Sequence, residues 1–147
     1  MNRLQKTEAS QLFRLGVNMT KTALETLSDD DCELRALYAD QARFELKNRA
    51  LRKGAMPDLL FGEPAWDMLL ELYVCDAEQS VMSVTSLCAA SGQPQTTALR
   101  WIAILEEMGF VTRSDDGFDR RRKMVQLAER GRLALEAYFR GRLYQLI

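Results

Sequence analysis

The sequence contains no histidine, and only three cysteines and three prolines among 147 residues. Histidine is the commonest general base and a frequent metal ligand, so its absence argues against an enzyme and against a metal site. Cys32, Cys75 and Cys88 are widely spaced and form no CxxC pair, which indicates reduced thiols. The chain also shows no nucleophile-base set and no phosphate-binding loop. We therefore predict a protein that is not an enzyme, with no catalytic residue, cofactor or metal.

Long apolar runs are missing as well. No segment approaches the roughly 20 uninterrupted apolar residues of a membrane span, and the polar first ten residues lack the apolar core of a secretion signal. With 47% hydrophobic and 28% charged residues, the composition is that of a folded soluble protein. We expect a cytoplasmic protein with no membrane partner.

Charge is unevenly distributed, although the net charge is only −1. Residues 63–91 carry five acidic side chains and no basic one, whereas residues 117–123 carry four basic side chains against Asp119. A second basic stretch runs from Arg43 to Lys53. This stretch either extends a contact with a polyanion or forms a solvated helix face, the more common explanation.

Apolar side chains at three- and four-residue spacing predict a series of helices. A first amphipathic helix is expected over roughly residues 7–27, and Ser28 with the aspartates after it favours the start of a second that ends near Gly54. Further helices are expected over residues 64–77, 84–90 and 95–108, with Gly109 capping the last. Residues 1–57 are thus a predicted helical extension, whose Leu12 and Met19 stripe either mediates dimerisation, which we favour, or packs on the domain.

After Gly109 the pattern changes to that of a β-hairpin. Residues 110–112 are strand formers, residues 115–117 are turn formers, and residues 123–127 alternate polar with apolar. A last helix is predicted over residues 129–146. The predicted fold class is mainly α with a small β-hairpin wing (α+β), in which a winged helix-turn-helix over residues 58–128 lies between the N-terminal extension and a C-terminal helical extension, residues 129–147. That last helix is a second candidate for dimerisation.

The order of a helix, a short helix, a glycine-containing turn, a longer helix and a basic hairpin is that of a winged helix-turn-helix. In such a unit the helix after the turn enters the major groove of double-stranded DNA, so the helix at about 95–108 is the predicted recognition helix. Glutamine suits adenine, arginine suits guanine, and threonine suits a phosphate or a thymine methyl. The alternative is that the polar residues at the start of this helix only cap it and lie on its solvent-exposed surface. The candidate contacts are Gln93, Gln95, Thr96, Thr97 and Arg100.

The hairpin tip, about residues 115–123 and here called the wing, concentrates positive charge. Arginines on a thin ribbon can enter the minor groove or lie along the phosphate backbone. We expect Asp119 to pair with one of these arginines and fix its direction. The alternative is an ordinary charged turn. The predicted DNA contacts of the wing are Arg120, Arg121, Arg122 and Lys123.

Over residues 61–139 the sequence resembles the MarR family of bacterial regulators (multiple-antibiotic-resistance type). The resemblance is carried by residues 96–100, 105–113, 116–122 and 127–131, with Ala128 where the family usually has threonine. It implies a transcription regulator that forms a homodimer clasped by terminal helices. One recognition helix would bind each half-site of a pseudo-palindromic operator, and a small-molecule effector would be a further candidate partner.

Two alternatives belong to other classes of protein. A winged helix can serve as a protein-protein docking module that never binds DNA, although such a module needs no run of three arginines. Cys75 or Cys88 could act as a redox sensor, but their acidic surroundings would raise rather than lower a thiol pKa. Trp101 and Tyr73 could line a ligand pocket, although large aromatic residues are more often part of the core.

Overall fold

The computed structural model describes residues 32–57, residue 60 and residues 62–146. The predicted first helix, the start of the second at Ser28, and the Leu12 and Met19 stripe lie outside the described residues. Within them, the elements in chain order are α1 (Cys32–Ala55), α2 (Pro64–Ala77), β1 (Met82–Ser83), α3 (Val84–Ala90), α4 (Gln95–Glu107), β2 (Val111–Asp115), β3 (Lys123–Leu127) and α5 (Glu129–Leu146).

The predicted fold class is confirmed: helices dominate, and the wing is the tip of a small antiparallel sheet. The sheet has the strand order β1-β3-β2. The two-residue strand β1 was not expected from the sequence, and it pairs Met82 with Val125. Strand β2 runs further than predicted, because Asp115 pairs with Lys123 in the sheet and is not part of the turn. The loop of the wing therefore comprises residues 116–122.

The chain divides into two compact units. Of the described residues, the first unit contains residues 32–41 and 136–146, and its core includes Leu34, Leu37 and Leu143. Tyr38 stacks on Phe139 there, with their ring centroids 5.9 Å apart. Burial, together with the nearby charges of Glu136 and Tyr144, raises the pKa of Tyr38 to about 12. Tyr38 is therefore neutral at physiological pH.

The second unit, Ala42–Leu135, contains the winged helix and has its own hydrophobic core. Helices α2, α3 and α4 and strands β2 and β3 contribute buried side chains to it, and Met82 of β1 is partly buried against it. The buried positions of α4 are Ala98, Ile102 and Leu105, at the three- and four-residue spacing of one helical face. The other buried members are Met68, Leu72, Val84, Leu87, Cys88, Val111 and Val125.

Gly109 ends α4 as predicted. Its backbone has φ +77°, a left-handed conformation that favours glycine. The amide of Gly109 donates to Glu106 O at 2.9 Å and the amide of Phe110 donates to Leu105 O at 2.9 Å. This double hydrogen bond satisfies the last carbonyls of the helix and turns the chain directly into β2.

None of the helices in the described part of the chain is long and apolar enough to cross a membrane.

Candidate nucleic-acid interface

The turn before α4 holds the start of this helix in place. Ser91 is buried, and its hydroxyl donates to Cys88 O at 2.7 Å and accepts from the amide of Gln93 at 3.3 Å. Gly92 follows with φ +67°, and Pro94 precedes the first residue of the helix. The polar side chain at position 91 thus links α3 to the segment that leads into α4.

Because Ala98, Ile102 and Leu105 fix the buried face of α4, the opposite face is exposed. Of the predicted contacts, Thr96 and Arg100 are exposed on that face, and Thr97 is half-buried. Gln95 is exposed as the first residue of the helix, on the same side as Ala98, and Gln93 is half-buried in the turn before it. Leu99 precedes Arg100 in the sequence and is 37% exposed. Leu99 was not among the predicted contacts, although its spacing of three from Thr96 would have placed it on this face.

Hydrogen bonds within the loop shape the tip of the wing. The amide of Asp116 donates to Arg122 O at 2.9 Å, and the amide of Arg122 donates to Asp119 O at 3.0 Å. The carboxylate of Asp119 accepts from the amide of Arg121 at 3.0 Å. Within the described part of the chain, Asp119 thus supports the wing through backbone amides, and the expected ion pair between Asp119 and an arginine side chain is not formed.

The four basic residues of the wing fall into two pairs. Lys123 forms an ion pair with Asp115 across the hairpin, and Arg122 Nε lies 4.0 Å from Asp116 Oδ2. Arg120 and Arg121 are exposed, and neither forms an ion pair with any residue that the structure describes. The wing therefore presents two uncompensated guanidinium groups at its tip.

An ion pair joins strand β2 of the hairpin to the far end of α4. Arg113 on β2 donates from Nε to Glu106 Oε2 at 2.5 Å, with both side chains 38% exposed. Together with the backbone hydrogen bonds of Gly109 and Phe110, this pair connects the end of α4 to β2.

The short helix α3 begins with a capping serine. Ser83 Oγ accepts from the amide of Ser86 at 3.1 Å and donates to Ser86 Oγ at 2.8 Å. Thr85 and Ser86 are exposed on the first turn. Amides and hydroxyls at a helix start are groups that contact phosphates, and these two residues were not among the contacts predicted from the sequence.

The basic stretch from Arg43 to Lys53 is largely compensated within the second unit. Arg43 pairs with Glu78 at 2.6 Å, and Lys53 Nζ lies 3.0 Å from Asp67 Oδ2. Arg49 is only 5% exposed and pairs with Asp67 and Glu63. These contacts favour a structural role for most of the stretch over an extended DNA contact.

Three residues that the sequence suggested for redox sensing or for a ligand pocket, Cys88, Tyr73 and Trp101, are buried or partly buried. Cys88 is buried, and burial raises the pKa of its thiol, which makes it a poor redox sensor. Tyr73 is 2% exposed, and Trp101 is partly buried against the core of the winged unit. In the described ranges, no group of three or more cysteine, aspartate or glutamate side chains could hold a metal ion.

A cleft of about 90 Å³ in the second unit has an apolar lining. Trp66, Leu69 and Phe110 form part of that lining, whereas Trp101 and Tyr73 do not. Pockets for drug-sized ligands enclose about 300–1,000 Å³. In this conformation the cleft is too small for such a ligand, and binding of an effector stays a prediction.

No protein-family model and no curated protein matches the sequence. Solved structures do match. The MepR-DNA complex of S. aureus is 21% identical, with 72% of this chain and 81% of that chain covered at a TM-score of 0.50. BpsR of Bordetella bronchiseptica, whose DNA binding is regulated by 6-hydroxynicotinic acid, is 23% identical, with 72% and 77% covered at 0.44. A MarR family transcriptional regulator from Silicibacter pomeroyi is 21% identical, with 73% and 70% covered at 0.45. The likeness to MepR shows that this chain has a MarR-like winged-helix fold.

Proposed function

We propose that this protein is a sequence-specific transcription regulator that binds double-stranded DNA, with α4 in the major groove and the wing on the minor groove or the phosphate backbone. The observation that carries the proposal is the side-chain chemistry of the exposed face of α4 and of the wing tip. Arg100, Arg120 and Arg121 have no ion-pair partner among the described residues, so their charge is available to DNA. Similarity to the fold of MepR, which was solved in complex with DNA, supports the same role.

The exposed face of α4 is suited to base contacts. Gln95 can form two hydrogen bonds with adenine, and Arg100 can do the same with guanine. The methyl groups of Thr96, Thr97 and Leu99 can pack against the methyl group of thymine. The threonine hydroxyls can instead bind phosphate. Each well-placed bidentate contact discriminates against a wrong base by about 1–3 kcal/mol.

The wing is suited to phosphates and to the negative potential of a narrow minor groove. We assign the main electrostatic role to Arg120 and Arg121, because Arg122 and Lys123 already have carboxylates as neighbours. Thr85 and Ser86 at the start of α3 are additional candidates for phosphate contacts. An arginine that binds phosphate releases counterions, so its removal lowers the salt dependence of binding.

Binding of the full-length protein to random-sequence duplex DNA across a salt series tests the proposal. Bound duplexes are recovered, amplified and sequenced over successive rounds. We expect a steep decrease of affinity with salt and enrichment of an inverted repeat. No binding at low salt would contradict DNA binding and favour a protein-docking module.

Two single substitutions separate the proposed roles. Arg121→Ala should weaken binding to all duplexes and reduce the slope of log affinity against log salt by about 1. Arg100→Ala should lower affinity for the enriched duplex by about 1–3 kcal/mol and relax the preference at one base pair. Lys47→Ala, which removes an exposed charge from α1, serves as the control and should change neither quantity. If Arg100→Ala and Arg121→Ala behaved alike, this division of roles would be wrong.

A further inference from the structure

The wing carries an apolar side chain that the described part of the chain leaves fully exposed. Phe118 is 104% exposed, whereas the other large exposed hydrophobic residues in the described part of the chain range from 37% to 73%. Transfer of a phenylalanine ring out of water is favourable. The fully exposed ring is therefore available to a partner that offers an apolar contact at the tip of the hairpin.

The backbone around Phe118 is held in a defined conformation. The amide of Phe118 donates to Asp116 Oδ1 at 3.1 Å, and the ends of the loop are joined by the hydrogen bond from the amide of Asp116 to Arg122 O. The Asp119 carboxylate fixes the next turn through the amide of Arg121. These bonds hold the backbone from which the ring of Phe118 projects at the tip of the hairpin.

The charges beside the ring restrict what it can contact. Arg120 and Arg121 lie two and three residues after Phe118, and neither is neutralised by a described residue. A surface that accepts both must offer negative charge next to an apolar interior. The minor groove of duplex DNA has this combination, with phosphates along its edges and stacked bases between them.

We propose that Phe118 is an apolar wedge that enters the minor groove between the phosphates held by Arg120 and Arg121, and there partly unstacks one base step. Inserted apolar side chains of this kind kink DNA by about 20–90°. Pyrimidine-purine steps unstack most easily, so Phe118 adds a preference for TA or CA/TG steps at the position of the wing. This inference rests on the proposed DNA binding and adds to it a specificity-determining residue that forms no hydrogen bond with a base.

The test compares the full-length protein with Phe118→Ala, Phe118→Leu and Val81→Ala. Leucine keeps an apolar wedge, and Val81, which is 73% exposed outside the wing, is a matched control for loss of exposed apolar surface. Each protein undergoes the same selection from random duplexes. The bend of the duplex enriched by the wild type is then measured by energy transfer between dyes at its two ends, and its affinity is measured across a salt series.

We expect Phe118→Ala to bend this duplex less, to lose the preference for flexible steps under the wing, and to bind it roughly tenfold more weakly, a loss similar to that of one base pair of the site. Its salt slope should not change, because both arginines remain. Phe118→Leu should retain most of the bend, and Val81→Ala should match the wild type. Because the side chain of Phe118 contributes nothing to the core, all three variants should fold.

Three results would overturn the wedge. These are wild-type bending and affinity in Phe118→Ala, a weaker affinity without any change in bend or step preference, and an equal loss in Val81→Ala. Failure of the proposed function looks different, because the wild-type protein would then bind no duplex at low salt.

Discussion

At the scale of single residues, Gly131 in the first turns of α5 has the least room for a side chain among the glycines that the structure describes. A Cβ atom there would lie 2.2 Å from Phe110 O and 3.0 Å from Phe110 C. The same carbonyl accepts a hydrogen bond from the amide of Ala128 at 2.9 Å, so it cannot easily move away. Gly131→Ala should therefore lower the free energy of unfolding by about 2–3 kcal/mol, as is typical of overpacked sites. Urea denaturation followed by circular dichroism measures this change.

Gly141, on the same helix, provides the control. A Cβ atom there would meet nothing within 4 Å. Since alanine favours a helix more than glycine does, Gly141→Ala should raise the free energy of unfolding by up to about 1 kcal/mol. Equal destabilisation by the two substitutions would show that the contact with Phe110 does not decide the outcome.

The same scale shows which candidate contact residues a sequence can reveal. Thr96 and Arg100 are polar residues on a periodic helix, so their exposure follows from the buried positions of α4, whereas Gln95 is exposed because it is the first residue of the helix. Leu99 and Phe118 are hydrophobic, and a sequence pattern assigns such side chains by default to a core. The ion pairs of Arg122 and Lys123 depend on the register of the hairpin, which the turn residues at 115–117 did not define correctly.

At the scale of elements, a buried ion pair joins α1 to α2. Arg49 and Asp67 are each 5% exposed, and Asp67 also accepts from Lys53. Burial alone would lower the pKa of Arg49, but the hydrogen bonds and charges of Asp67 and Glu63 outweigh it and raise that pKa, so Arg49 stays charged. Asp67→Ala would leave this charge buried with less compensation. It should lower the free energy of unfolding by about 3–5 kcal/mol in thermal or urea denaturation.

The exposed pair between Arg43 and Glu78 is the matched control, since it also involves an arginine of α1. Its side chains are 42% and 52% exposed, so solvent screens the attraction. Glu78→Ala should cost no more than about 1 kcal/mol. A loss of similar size in Asp67→Ala would mean that the buried carboxylate contributes little to the stability of the pair of helices.

The elements also show where a single sequence is informative. The helices from Pro64 onward lie within about one residue of their predicted bounds, because their apolar spacing and caps agree. Strand β1 has two residues, too few for any pattern to indicate it. The basic stretch of α1 suggested a polyanion, but Arg49 and Lys53 lie one helical turn apart and meet a carboxylate 18 and 14 residues away on another helix. Such a partner becomes apparent only in the folded chain.

At the scale of the whole molecule, the boundaries of the two compact units differ from the domain boundaries predicted from the order of helices and strands. The predicted domains changed at residues 57 and 128, where one kind of structure gives way to another. The compact units instead change within two long helices, between Gln41 and Ala42 and between Leu135 and Glu136. Periodicity is continuous along such helices, so a sequence pattern does not show which part packs with which core.

The last prediction concerns assembly. The C-terminal helix leaves Tyr138 and Tyr144 42% and 38% exposed, and exposed aromatic residues on a terminal helix are suited to a subunit interface. We expect a homodimer, which would place two recognition helices on half-sites about one turn of DNA apart.

Sedimentation equilibrium should give twice the mass of one chain for the wild type and for Val81→Lys, a control on the winged unit. In Tyr144→Lys, a buried charge at the interface should shift the population toward single chains. A mass of one chain at every wild-type concentration would rule out the dimer, and a single recognition helix would then select an asymmetric site rather than an inverted repeat.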